Sequence, residues 1–115
     1  MPQTQNTNKN ILKIRLSKRA KEEGISLPSY TRNGDAGIDI RSMEDKLLPA
    51  QGRVQISTGL HIEIPPGCVG MIKDRSGLAL KYGIHNLAGV IDPTYRGQIK
   101  IVAFNTSRQA YRIKK

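Results

Sequence analysis

Short apolar runs, broken every few residues by Gly or Pro, leave this chain few ways to fold other than as antiparallel β structure. Ile11-Leu12-Lys13-Ile14-Arg15-Leu16 alternates apolar residues at Leu12, Ile14 and Leu16 with basic ones, the period of two that marks a half-buried strand. Lys46-Leu47-Leu48-Pro49, Val54 to Gly59, Leu60 to Ile64, Val69 to Ile72 and Gln98 to Phe104 repeat this grammar, each closed by turn-forming residues. Strands spaced in this way predict an all-β sandwich or barrel. Arg19 to Gly24 adds one helical turn that a glycine ends, and only Gly77-Leu78-Ala79-Leu80-Lys81-Tyr82-Gly83 reads as a short helix. Leu27 to Gly34, rich in Pro, Ser, Thr, Asn and Gly, predicts a loop delivering the chain to Asp35.

A chain of 115 residues has room for one modest core, and at that size an oligomer is a common source of added stability. Met1 to Asn10 is polar with almost nothing to bury and predicts a disordered arm, so the domain is expected to occupy 11–115. The arm lacks the apolar centre of a secretory signal, and no apolar run is long enough to cross a bilayer. These features predict a cytoplasmic protein or, if the source is a virus, one in the host cytoplasm or nucleus. Cys68 is the one cysteine, which excludes an internal disulfide and a Cys-rich metal site and reads as packing. The formal net charge of +10, dense from Lys9 to Lys21 and from Lys100 to Lys115, would steer polyanions such as nucleoside triphosphates toward the surface. Nucleic acid would be drawn as well, but no aromatic residues interleave the basic ones to stack on bases. His61 and His85 read as surface or turn residues, without a spacing that suggests metal.

The richest segment chemically is Ala88-Gly89-Val90-Ile91-Asp92-Pro93-Thr94-Tyr95-Arg96-Gly97. Val90 and Ile91 suit a buried strand, while Pro93, Thr94 and Gly97 are turn chemistry, so Asp92 and Tyr95 are expected on a hairpin. A carboxylate and a phenol held there can polarise a water and cover a flat ring; they also fit a capping Asp and a core Tyr.

Two further segments decide between these readings. Asp35-Ala36-Gly37-Ile38-Asp39-Ile40 and Asp74-Arg75-Ser76-Gly77-Leu78-Ala79 precede the Asp92 segment. In order and approximate separation the three resemble the motifs of the trimeric dUTPase family: Ala-Gly-x-Asp-Leu, Arg-Ser-x-Leu-Ala and Gly-Val-Ile-Asp-x-x-Tyr-x-Gly. Ser57-Thr58-Gly59-Leu60 and Ile64-Pro65-Pro66-Gly67-Cys68-Val69-Gly70 are similar to the family's framework, so the resemblance runs from about Leu12 to Lys115. It implies a distorted jelly roll or β-barrel with one short helix, a homotrimer, and Mg²⁺-dependent hydrolysis of dUTP to dUMP and pyrophosphate.

The resemblance also implies residue roles. Asp92 would order and polarise the attacking water as general base. Tyr95 would pack on the deoxyribose and exclude a 2′-hydroxyl. Asn86, six residues before Asp92, would read the pyrimidine edge with an amide that both donates and accepts, as uracil requires. Backbone groups of Gly89, Val90 and Ile91, and of the departing strand near Lys100, would complete base recognition. Arg75, Ser76 and Gly77 would hold the phosphates. Asp39 would meet Mg²⁺ through water, an arrangement natural to an ion that gives up its waters reluctantly. Asp35 is the less clear acid of that pair.

The pattern departs from the family in two places. Asp74 stands where a Pro or neutral residue is common, which would weaken phosphate binding unless the carboxylate points away. The sequence stops at Tyr111-Arg112-Ile113-Lys114-Lys115, where relatives continue into a Gly-Asp-Arg-Ile-Ala-Gln motif, another strand and a Gly-rich tail. The resemblance therefore implies either a truncated piece of a longer enzyme or a degenerate, weakly active binding module of the same fold. The related dCTP deaminases need an acid on the strand after the third motif, and Val102 stands at that position.

Overall fold

The computed structural model describes residues 11–115; the expected disordered arm, Met1 to Asn10, lies outside the described residues. The elements in chain order are β1 (Lys13–Leu16), α1 (Lys18–Glu22), β2 (Lys46–Leu48), β3 (Arg53–Glu63), β4 (Gly70–Met71), α2 (Ser76–Tyr82), β5 (Ile84–Leu87), β6 (Val90–Ile91), β7 (Gln98–Asn105) and β8 (Tyr111–Ile113). The architecture is all-β with two short helices. A four-stranded antiparallel sheet runs β1-β3-β7-β5, and two ribbons, β2-β8 and β4-β6, flank it.

The expected breaks between Val54–Gly59 and Leu60–Ile64 do not end a strand. β3 runs through both as one eleven-residue element, and the register with β7 shifts between Ser57 and His61. Side chains replace the ladder bonds lost at that bulge: Thr58 Oγ1 donates to the Ile99 carbonyl at 2.5 Å, Leu60 N–H donates to Thr58 Oγ1, and Gly59 N–H donates to Gln98 Oε1. Gly59 takes φ +72°, and a Cβ there would lie 2.7 Å from Ala20 Cβ and 3.0 Å from Met43 Sδ. The bulge thus needs a residue that tolerates positive φ and carries no side chain.

Two apolar clusters share the inward face of the main sheet. Leu60, Ile62, Ile64, Ile91 and Ile99 form one, with Ile14, Leu16, Ile40, Cys68 and Ile72 against it. Leu48, Ile56 and Ala103 form the other, with Val54, Ile84, Ile101, Tyr111 and Ile113 packed beside them. Cys68 packs as its neighbourhood predicts. β3 contributes its even-numbered residues to both clusters, the strand period acting across the bulge. α1 starts at Ser17, whose hydroxyl accepts from Ala20 N–H at 3.1 Å, and buries only Ala20. α2 buries no residue and ends on Gly83 in the left-handed conformation.

Candidate active site

The β4-α2 connection and the β5-β6 connection lie side by side. β4 pairs with β6, Gly70 opposite Ile91 and Met71 opposite Val90, and Ile72 N–H donates to the Gly89 carbonyl at 2.8 Å. Gly89 sits at φ +111°, and a Cβ there would be 2.9 Å from the Ile72 carbonyl oxygen, so the close approach of these two strands needs a glycine. Ala88 just before it also adopts positive φ, +60°, which is uncommon for a residue with a Cβ. Nothing in an alanine's identity signals that conformation, and sequence reasoning passed over it.

Val90 departs from its expected burial: it is 63% exposed while Ile91 is buried, because alternate strand residues point to opposite faces and Ile91 takes the core side. The Asp92 to Tyr95 segment is a turn, with Tyr95 N–H donating to the Asp92 carbonyl at 3.0 Å. It is not the turn of a hairpin. β6 pairs with β4, and β7 pairs with β3 and β5, so the turn passes the chain from a ribbon to the main sheet. Asp92 is exposed at its start. The Tyr95 ring folds back over Gly97, where a Cβ would meet the phenol oxygen at 2.6 Å, and its hydroxyl donates to the Gln98 carbonyl at 2.7 Å. Arg96 closes the turn by donating to the Pro93 and Tyr95 carbonyls and facing Glu63 at 3.5 Å. Lys100 lies farther along β7, exposed and opposite Ser57.

The first two motifs meet. Arg75, the residue before α2, places Nη1 3.9 Å from Asp39 Oδ2, which also accepts from Thr31 Oγ1 at 3.4 Å. Both partners are largely exposed, at 71% and 47% of their side chains. Such a pair contributes about 0–1 kcal/mol and leaves the guanidinium free to turn to a stronger anion. Ser76 and Gly77 open α2 and are exposed. Asp35 is committed elsewhere, its Oδ2 accepting from Arg32 N–H at 2.9 Å within a local turn.

Asn86 lies on β5, an element absent from the sequence reading, and its Nδ2 donates to the Lys73 carbonyl at 3.3 Å. Asp74 bonds to this strand, whereas Arg75 pairs with Asp39. Its Oδ1 accepts from Asn86 N–H at 2.6 Å and its Oδ2 lies 2.5 Å from His85 Nδ1. Burial pushes the Asp74 carboxyl up, but the His85 and Asn86 hydrogen bonds and the charges of His85 and Lys73 outweigh it, holding the group below the ordinary carboxylate range. Because the folded-state value is the lower one, the stability this carboxylate adds is complete above the unfolded carboxylate range and is lost as pH falls through the folded value. Acid titration of the parent and of Asp74→Asn is expected to show a shallower loss of stability in the variant.

Neither of the two main cavities among the described residues holds both the Asp39-Arg75 pair and the Asp92-Tyr95 turn. A cleft of about 480 Å³ is lined by the loop from Gly24 to Thr31 and by Asp39, Arg41, Thr58, Leu60 and Lys115; of the expected site residues it holds only Asp39. A shallower hollow of about 210 Å³ lies among Lys13, Arg15, His61, Glu63 and Arg96, and holds none of them. Among the described residues no three His, Cys, Asp or Glu side chains gather to hold a metal. Asp39 alone fits a hydrated Mg²⁺ that takes its other ligands from water and phosphate oxygens, and does not fit a cage built by protein.

The model of the dUTPase family matches residues 23–115. The chain belongs to the dUTPase family. Among curated relatives, the deoxyuridine 5'-triphosphate nucleotidohydrolase of Paramecium bursaria Chlorella virus 1 is 50% identical over 93 residues, covering 81% of this chain and 66% of the relative. That of Clostridium kluyveri is 44% identical over 102 residues, covering 87% and 71%. The chain thus spans about two thirds of the length of these relatives. Among solved structures, a dUTPase of Staphylococcus bacteriophage 80alpha with dUpNHpp superposes at TM-score 0.81 with 27% identity, covering 93% of this chain and 84% of that one. The dUTPase of S. aureus phage phi11, whose structure reveals the coordination of a structural Mg(II) ion, gives 0.76 with 34% identity, covering 85% and 61%.

Proposed function

We propose that this chain works as a Mg²⁺-dependent dUTP diphosphatase, releasing dUMP and pyrophosphate. The observation that carries the reading is the Asp92-Tyr95 turn, which presents an exposed carboxylate beside a tyrosine ring fixed over Gly97 by its bond to Gln98. Asp92 takes a proton from water as the water oxygen bonds to the α-phosphorus, and the bridging oxygen leaves with pyrophosphate. Arg75 exchanges Asp39 for phosphate oxygens, Ser76 and Gly77 contact the same group, and Asn86 with the backbone of Gly89, Val90, Ile91 and Lys100 reads uracil. Asp39 would hold Mg²⁺ through water, and the ion would supply positive charge against the phosphates when bound. Val102 lies on β7 opposite Leu87 and Gln55, which leaves a deaminase without its acid.

The working unit on this reading is a homotrimer in which the turn of one copy faces the Asp39-Arg75 pair of another; neither main cavity of the single chain holds both. The β4-β6 ribbon supports this with exposed Val69, Met71 and Val90, an apolar strip that a neighbouring copy would cover. Among the described residues no helix is long and apolar enough to cross a membrane, and we place the protein in the cytoplasm, or in the host cytoplasm or nucleus if viral.

Calorimetric titration with dUpNHpp, with and without Mg²⁺, tests the reading. Saturable, Mg²⁺-strengthened binding, with dCTP competing weakly, is expected; equal competition by dCTP would overturn the uracil assignment. Tyr95→Ala is expected to erode the preference for dUTP over UTP by roughly 10-fold to 100-fold, since a pocket that rejects by shape is worth about 1–3 kcal/mol. Competition by UTP measures this directly, and an unchanged preference would remove Tyr95 from sugar selection.

A further inference from the structure

α2 has no buried residue, and Arg75, its N-cap residue, makes no side-chain capping bond, so neither core packing nor a cap fixes where this helix begins. The residues immediately before it are fixed instead from across the chain. Asp74 reaches eleven and twelve residues ahead to His85 Nδ1 at 2.5 Å and Asn86 N–H at 2.6 Å, and the Lys73 carbonyl accepts from Asn86 Nδ2 at 3.3 Å. Each oxygen of the carboxylate has a partner, while Arg75 pairs with Asp39 instead.

We propose that Asp74 is a positioning residue of the nucleotide site: shared between His85 and the Asn86 backbone, its carboxylate locks the Arg75-Ser76 turn against the strand that presents the Asn86 amide. This rests on the reading of Arg75, Ser76 and Asn86 as nucleotide contacts. One side chain thereby sets the distance between the phosphate end and the base end of the bound nucleotide. The carboxylate that looks misplaced beside a phosphate-binding segment is what aligns it. A group held in this way affects binding through geometry, because a ligand that needs both ends at once loses affinity when they move independently.

Amide hydrogen exchange at Asn86 and dUpNHpp affinity, measured on Asp74→Ala, Asp74→Asn and His85→Ala, test the proposal. Asp74→Ala is expected to speed Asn86 exchange about 10-fold and weaken dUpNHpp by about 10-fold, as for loss of a charged hydrogen bond. Asp74→Asn should stay within about 3-fold of the parent in both, since its carboxamide oxygen accepts from Asn86 N–H and its NH₂ donates to a neutral His85. His85→Ala, which keeps the Asn86 bond, should fall between them and stands in should Asp74→Ala loosen the whole chain. Unchanged Asn86 exchange in Asp74→Ala or His85→Ala, or an Asp74→Asn as impaired as Asp74→Ala, would overturn the proposal. Tighter binding by Asp74→Ala would also overturn it, by showing that the carboxylate merely repels phosphate. Failure of the parent to bind dUpNHpp would remove the nucleotide reading, while the exchange data would still decide whether the lock exists.

Discussion

Asp92→Asn is expected to lower dUTP turnover by about 10² or more while leaving dUpNHpp affinity within about 3-fold. The carboxylate stands at the start of a turn whose own bond is made by its backbone carbonyl, so the substitution leaves that bond in place. Asparagine keeps the size and can still hydrogen-bond a water, but it cannot accept the proton that the water must lose. The loss therefore falls on turnover and spares binding. A turnover assay beside calorimetry separates the two, and an Asp92→Asn as fast as the parent would place the base elsewhere.

Gly59→Ala is expected to cost about 2–5 kcal/mol of folding stability. Holding a residue with a Cβ at the φ of +72° found there costs about 1–2 kcal/mol. Forcing that Cβ to within 2.7 Å of Ala20 Cβ and 3.0 Å of Met43 Sδ adds overpacking strain of about 1–3 kcal/mol. The strain also falls on the one bulge that lets β3 serve both apolar clusters, so there is little slack to absorb it. Thermal melts should show a fall of roughly 10 °C or more at about 4–8 °C per kcal/mol. Gly37→Ala, where an added Cβ meets nothing within 4 Å, is the matched control and should change little.

Local periodicity carried much of the fold. Alternation in Leu12 to Leu16 and in Gln98 to Phe104 marked β1 and β7, and the glycine at position 83 marked the end of α2. What it could not carry was pairing. Whether Val54–Gly59 and Leu60–Ile64 are two strands or one depends on Thr58 and Gln98 filling a broken ladder, contacts made 39 and 41 residues away in sequence. Whether Asp92-Tyr95 closes a hairpin depends on β4, which takes β6 as its partner. β5 and β8 have no distinctive pattern of their own and are strands because β7 and β2 offer them edges.

The candidate site divides in the same manner. Asp39, Arg75, Asp92 and Tyr95 stand in three short segments and Asn86 is placed by its spacing from Asp92, whereas the contact between Asp39 and Arg75 is made only in the tertiary fold. The backbone of Ala88 and the bond from Asp74 to His85 were not legible, because an alanine carries no mark of its φ and an acid beside a phosphate-binding segment reads first as a charge that opposes phosphate. Only the tertiary fold shows that Asp74 bonds His85 and Asn86.

Pyrophosphate release, measured with dUTP, dCTP, dTTP and UTP on this chain and on a form extended to the full length of its longer relatives, tests the central claim most directly. Release from dUTP alone, dependent on Mg²⁺, with dCTP, dTTP and UTP at background and no ammonia formed, is the predicted result. Equal rates on dUTP and dCTP, or no release from dUTP by either form, would contradict it.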